Sequence, residues 1–143
     1  MANSLIVGGL KVGMEVSVAC PEGYDPDPQV LAFAQSDPAF HFSLCRAPQD
    51  AAAGADVVFT DVWASMGQEE EKAKRAKAFQ GYCVDASLMA LTHPGCMVQH
   101  CLPAHRGEEI SAQVFEDHAH EIFDEAENRL HAQKAVMCLL MSQ

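Results

Sequence analysis

Cationic side chains are scarce in this sequence, and long apolar runs are missing altogether. Nine Lys and Arg stand against 20 Asp and Glu, a formal net charge of −11. The clustered cations that grip a phosphate backbone are therefore absent, which excludes nucleic acid as a partner. The longest apolar stretch near the C-terminus, residues 135–141, is far too short to cross a bilayer, so no membrane association is expected. No basic segment precedes an apolar run at the N-terminus, so no secretory signal is expected. Neither a Gly-x-Gly-x-x-Gly turn nor a phosphate-binding P-loop occurs, which removes support for a nucleotide. Six Cys and seven His include no Cys-x-x-Cys and no His-x-x-x-His, and His118 and His120 fall on different faces of a helix. No metal and no cofactor are expected. The cysteines are scattered, and Cys96 and Cys101 point to opposite faces of one expected strand, as do the neighbours His100 and Cys101. Six reduced thiols in a cytoplasmic protein are the expectation.

What is present is an ordinary globular composition, 49% hydrophobic and 20% charged, in a chain long enough for one domain over residues 1–143. Repeats and low-complexity tracts do not occur. Helical and strand-like segments alternate throughout. An apolar helix over 3–10 is closed by Gly13 as a left-handed cap. A strand follows over 15–20, then a Pro-rich loop in which Asp27 caps a helix that has Pro28 at its first position. Strands are expected over 40–45, 56–60 and 96–101, the last two joined by a charged helix with the pairs Glu70–Lys74 and Glu71–Arg75. Asp85 and Ser111 each start a short helix, and a long helix is expected from Asp124 to Leu140. Such alternation implies an α/β fold, a parallel sheet with helices on both faces. Ligands of such sheets sit at loops beyond the carboxyl ends of strands, which singles out the loops that begin at Asp61 and Cys101.

Three segments carry chemistry. Asp61-Val62-Trp63-Ala64-Ser65-Met66-Gly67 offers a carboxylate, a hydroxyl and a flexible backbone that together suit an ammonium and a carboxylate group. It equally suits a simple turn, with Asp61 as cap and Gly67 at positive φ. In His100-Cys101-Leu102-Pro103, the proline disposes Leu102 to an extended conformation, so the carbonyls of Cys101 and Leu102 are free to accept from an amino group. The bland alternative is a buried cysteine beside a structural histidine. In Phe123-Asp124-Glu125-Ala126-Glu127-Asn128-Arg129, a cation placed early in a helix opposes the helix dipole. It therefore implies either a salt bridge to Glu125 or a ligand close by.

Taken in order and spacing, these three segments resemble the ornithine carbamoyltransferases. Met1-Ala2-Asn3-Ser4, Gly81-Tyr82 and Ala132-Gln133-Lys134-Ala135 fit as well, so the resemblance covers essentially the whole chain. The Ser65-Met66-Gly67 loop is its most specific part, because the related aspartate enzymes differ there and at Cys101. The resemblance implies a Rossmann-like three-layer sheet that lacks its first strand, and the ornithine-binding half of a two-domain enzyme. It implies transfer of a carbamoyl group from carbamoyl phosphate to the side-chain amine of ornithine, giving citrulline and phosphate, with no cofactor or metal. Asp61, Ser65 and the backbone at Met66 would hold the α-amino and α-carboxylate groups. Asp61 and Cys101 would position the reacting amine, and the carbonyls of Cys101 and Leu102 would bind the carbamoyl amino group. Arg129 would donate to the carbamoyl oxygen as charge builds there.

The family's phosphate-binding Ser-Thr-Arg-Thr segment, its His-Pro-x-Gln segment and its Asp-Gly-Asn-Asn turn have no counterpart here. The strand over 15–20 is therefore expected to have a free edge, and the chain alone is expected to be inactive. Full-length members form homotrimers. Two alternative readings are transfer to a related amine, such as putrescine or an acylated ornithine, and a stand-alone amino-acid-binding or subunit-interaction module. The central expectation is that Asp61, Cys101 and Arg129 converge on one small pocket.

Overall fold

Four short strands, each following a helix or leading into one, set the architecture of this computed structural model, which describes residues 1–64 and 71–142. Helix α1 (Ala2–Lys11) leads to β1 (Val16–Ala19), α2 (Pro28–Ala34), β2 (Phe42–Cys45), α3 (Pro48–Ala52) and β3 (Val57–Thr60). Then come α4 (Lys72–Ala78), α5 (Ala86–Met89), β4 (Met97–His100), α6 (Ala112–Asp117) and the long α7 (Ala119–Met141). Gly13 takes φ +83° just past α1, the left-handed conformation its missing Cβ permits. Local chemistry fixes several helix starts. The Asp27 carboxylate accepts from the Gln29 N–H at 2.7 Å with Pro28 at the first position. Asp85 accepts from Leu88 N–H at 2.9 Å, and Ser111 Oγ from Val114 N–H at 3.2 Å. Glu71 pairs with Arg75 at 3.0 Å, whereas the expected Glu70–Lys74 pair lies outside the described residues.

All strand pairing is parallel, as the alternation implies, but the strands form two separate pairs, β1 with β2 and β3 with β4. Each pair has its own core. Ile6, Leu10 and Ala34 pack with the partly buried Val16, Val18 and Phe42 on the first. On the second, Val98, Ile110 and Ile122 are wholly buried and centre a larger cluster with Val84, Leu88 and Phe115. Among the described residues strand β1 is bonded on one side only. A groove of about 470 Å³ separates it from β3, with Glu15 and Ser17 on one wall and Asp56 and Val57 on the other. Among the described residues no helix is long and apolar enough to cross a membrane.

Two expectations about local structure are corrected. The last helix begins at Ala119, not Asp124, because Glu121 is drawn onto β4, where its carboxylate accepts from the Val98 N–H at 2.8 Å. Arg129 is thereby mid-helix, and the argument from its closeness to a helix N-terminus falls. Leu102 is not extended. It takes φ +55° ahead of a cis Leu102–Pro103 bond, against the preference of a residue before proline.

Candidate active site

The register of β3 and β4 builds the site. Thr60 stands opposite His100, so the next residue on each strand, Asp61 and Cys101, emerges side by side at the carboxyl rim. The Cys101 thiol donates to Asp61 Oδ1 at 3.1 Å, and Val62 N–H donates to the same oxygen at 2.8 Å. Asp61 thus caps its own turn, and among the described residues its second oxygen, Oδ2, takes part in no hydrogen bond. Burial pushes the Cys101 thiol up to about 12, helped by its hydrogen bond to Asp61 and by the charges of Asp61 and Glu125. At neutral pH this sulfur is a protonated donor and not a nucleophile.

An aromatic cluster braces the start of the Asp61 loop. The Trp63 ring stacks on Phe79 with centroids 5.9 Å apart, and Phe79 meets Tyr24 and Tyr82 edge-on. Arg75 Nη1 donates to the Trp63 carbonyl at 3.2 Å while its guanidinium lies over Tyr24. Ser65 and Met66 lie outside the described residues.

Sequence reasoning missed two acids here. Glu125, read only as a salt-bridge partner for Arg129, lies close to Asp61, Cys101 and His100. Burial raises its carboxyl above the usual range, and nearby Asp61 adds to the effect. Its Oε2 is buried without a hydrogen-bond partner. Glu109 is wholly buried beside an equally buried His100, with Oε1 3.1 Å from His100 Nε2. Its Oε1 also accepts from His105 N–H. Burial would raise the Glu109 carboxyl, but these hydrogen bonds outweigh it and hold the group below the usual carboxylate range. The only signal in the sequence is a run of two acids after Gly107, which surface charge explains equally well.

Arg129 is exposed on α7, one turn beyond Glu125, and among the described residues it forms no ion pair. The salt bridge to Glu125 is not made. Two surface hollows, of about 350 and 470 Å³, include neither Asp61 nor Cys101. Asp61, His100 and Cys101 bring potential metal-ligand atoms within 4.8 Å of one another, as do His105, Glu108 and Glu109. In the first group both ring nitrogens of His100 are already engaged, Nδ1 accepting from Leu102 N–H at 2.9 Å and Nε2 facing Glu109. His100 and Cys101 come this close because Cys101 lies past the end of β4, where strand alternation no longer separates their faces.

With this geometry in place, the sequence pattern of the aspartate/ornithine carbamoyltransferase Asp/Orn binding domain matches residues 1–140. The chain belongs to that family. It is 53% identical over 141 residues to the ornithine carbamoyltransferase of Geobacter sulfurreducens, a match covering 99% of this chain and 46% of that protein. The anabolic ornithine carbamoyltransferase of Campylobacter jejuni superposes with a TM-score of 0.94 at 39% identity, covering 100% of this chain and 48% of that one. The Pyrococcus furiosus ornithine carbamoyltransferase gives 0.87 at 46% identity, covering 97% and 45%. This carbamoyltransferase domain therefore spans about half the length of the relatives it matches, and its α/β Rossmann-like fold is theirs.

Proposed function

We propose that the chain supplies the ornithine-binding half of an enzyme that transfers a carbamoyl group from carbamoyl phosphate to the side-chain amine of ornithine. The observation that carries this reading is the Asp61–Cys101 contact at the ends of two adjacent parallel strands, in a chain whose relatives are named for that reaction. The amine nitrogen attacks the carbamoyl carbon, the bond from that carbon to the phosphate oxygen breaks, and citrulline and phosphate leave. An ammonium group cannot attack, so a proton must first be lost. The second carboxylate oxygen of Asp61 is the acceptor for it. The thiol of Cys101 stays protonated and holds Asp61 in position, which makes a covalent enzyme intermediate unnecessary. Ser65 and Met66 bind the α-amino acid end. The Cys101 and Leu102 carbonyls take the carbamoyl amino group, and Arg129 stabilises charge on the carbamoyl oxygen. Catalysis is then positioning and charge stabilisation.

Carbamoyl phosphate and a homotrimeric assembly belong to the full-length protein, and the reaction is the one used in arginine biosynthesis and the urea cycle. The six free thiols fit a reducing compartment such as the cytoplasm. A colorimetric citrulline assay tests the reading in two arms. The chain alone, with nine Lys and Arg and no built phosphate clamp among the described residues, gives no turnover above the blank. The same chain fused to the carbamoyl-phosphate half of a relative turns over, and Asp61→Asn in that fusion loses at least about a hundredfold. Turnover by the isolated chain, or a fusion indifferent to Asp61→Asn, overturns the proposal.

A further inference from the structure

Leu102 sits in the left-handed region at φ +55°, a conformation that a bulky residue keeps only where its surroundings over-determine it. The surroundings do so through one chain of hydrogen bonds. Leu102 N–H donates to His100 Nδ1 at 2.9 Å, so that nitrogen carries no proton, and the ring proton is assigned to Nε2. Nε2 faces Glu109 Oε1 at 3.1 Å. The same oxygen accepts from His105 N–H. One buried carboxylate thereby ties down both ends of the 101–105 turn, the near end through His100 and the far end directly. Both side chains are 0% exposed, so solvent cannot supply a substitute partner for either. Within the turn, the Cys101 and Leu102 carbonyls accept no loop or side-chain hydrogen bond from the described residues. Among the described residues they are acceptors without a donor of that kind, at the rim of the sheet.

We propose that Glu109, acting through a single tautomer of His100, is the positioning residue that sets the Cys101-Leu102-Pro103 turn, so that the Cys101 thiol meets Asp61 and the two carbonyls stay available to a ligand's amino group. This rests on the functional reading above for what the turn binds, but the device itself exists without substrate. Neither residue touches the reacting atoms. The pair acts as a buried template: the carboxylate dictates which nitrogen carries the proton, and the other nitrogen dictates where the Leu102 amide points.

The test uses the chain itself and two readouts that need no ligand. One is the imidazole ¹⁵N spectrum of His100. The other is the alkylation rate of Cys101, normalised to the exposed Cys138 and resolved by peptide mapping. Glu109→Gln keeps an oxygen acceptor at the same place and preserves the Nε2–H tautomer and a slow Cys101. Glu109→Leu removes the acceptor at similar volume, giving mixed tautomers and a Cys101 alkylated at least about threefold faster, as a release from Asp61 that lowers its pKa tenfold in ionisation would produce. His100→Gln, which can reach Glu109 but offers no Nδ1, gives the same faster Cys101. If Glu109→Leu does not fold, the contrast between His100→Gln and Glu109→Gln decides. A His100 tautomer and Cys101 rate unchanged in Glu109→Leu, or an unchanged Cys101 rate in His100→Gln where only that variant folds, overturns the proposal, as does an equal loss in Glu109→Gln. The citrulline assay on the fusion protein separately tests the functional reading, so the two ideas fail independently.

Discussion

The state of the Cys101 thiol is the sharpest consequence of the site geometry, and substituting Asp61 perturbs it directly. Burial, the hydrogen bond to Asp61 and the nearby charges take the thiol from an ordinary 9.0 to about 12. At pH 8 a thiol of pKa 9.0 is roughly a tenth ionised, and one at about 12 is ionised to roughly one part in ten thousand, a ratio of about a thousand. A more basic thiolate is intrinsically more reactive, by about thirtyfold across that gap for a Brønsted slope near 0.5, so the net expectation is alkylation roughly thirtyfold slower than for an ordinary thiol. Asp61→Asn removes the charge and leaves burial, the largest contribution, in place. Even a tenfold gain in ionisation, offset by about threefold in nucleophilicity, leaves Cys101 reacting about threefold faster. Iodoacetamide labelling from pH 7 to 10, with peptide mapping to separate Cys101 from the other five thiols, measures both rates. A Cys101 that labels as fast as exposed Cys138 in the native chain refutes the reasoning. An Asp61→Asn chain with an unchanged Cys101 rate refutes the part assigned to Asp61.

Two further expectations concern stability. Ile122 is fully buried where α7 packs on the β3–β4 core, so Ile122→Ala costs about 2–5 kcal/mol in urea unfolding. Leu130→Ala, on the exposed part of the same helix, stays within about 0.5 kcal/mol; equal losses at the two positions would show that α7 is not anchored through Ile122. Because the Glu109 carboxyl is held below its ordinary value of 4.5, its contribution is fully present above that value and is lost as pH falls through the folded-state value. The difference in melting temperature between the native chain and Glu109→Gln therefore narrows on acidification from about pH 6 to 3, and a constant gap over that range contradicts the assignment.

Legibility in the sequence followed the distance over which each feature is decided. Asp27, Asp85 and Ser111 cap helices by bonding amides two or three residues away, so their side-chain chemistry was sufficient to place those starts. Strand positions followed from apolar runs between turn residues. The three motif segments carried the family because each is contiguous. Tertiary structure decided the rest. Leu102 departs from its local preference because a histidine two residues back is itself held by a glutamate nine residues beyond that histidine. The long helix starts early because Glu121 finds a strand amide 23 residues upstream. The Cys101 thiol holds its proton first because it is buried and then because parallel register sets it against Asp61, 40 residues away. Local propensities are worth tenths of a kilocalorie to about one per residue, whereas the buried hydrogen bonds that Glu109 Oε1 makes with His100 and the His105 amide outweigh them, even with Glu109 Oε2 left without a hydrogen-bond partner, and leave no periodicity in the sequence by which to read them.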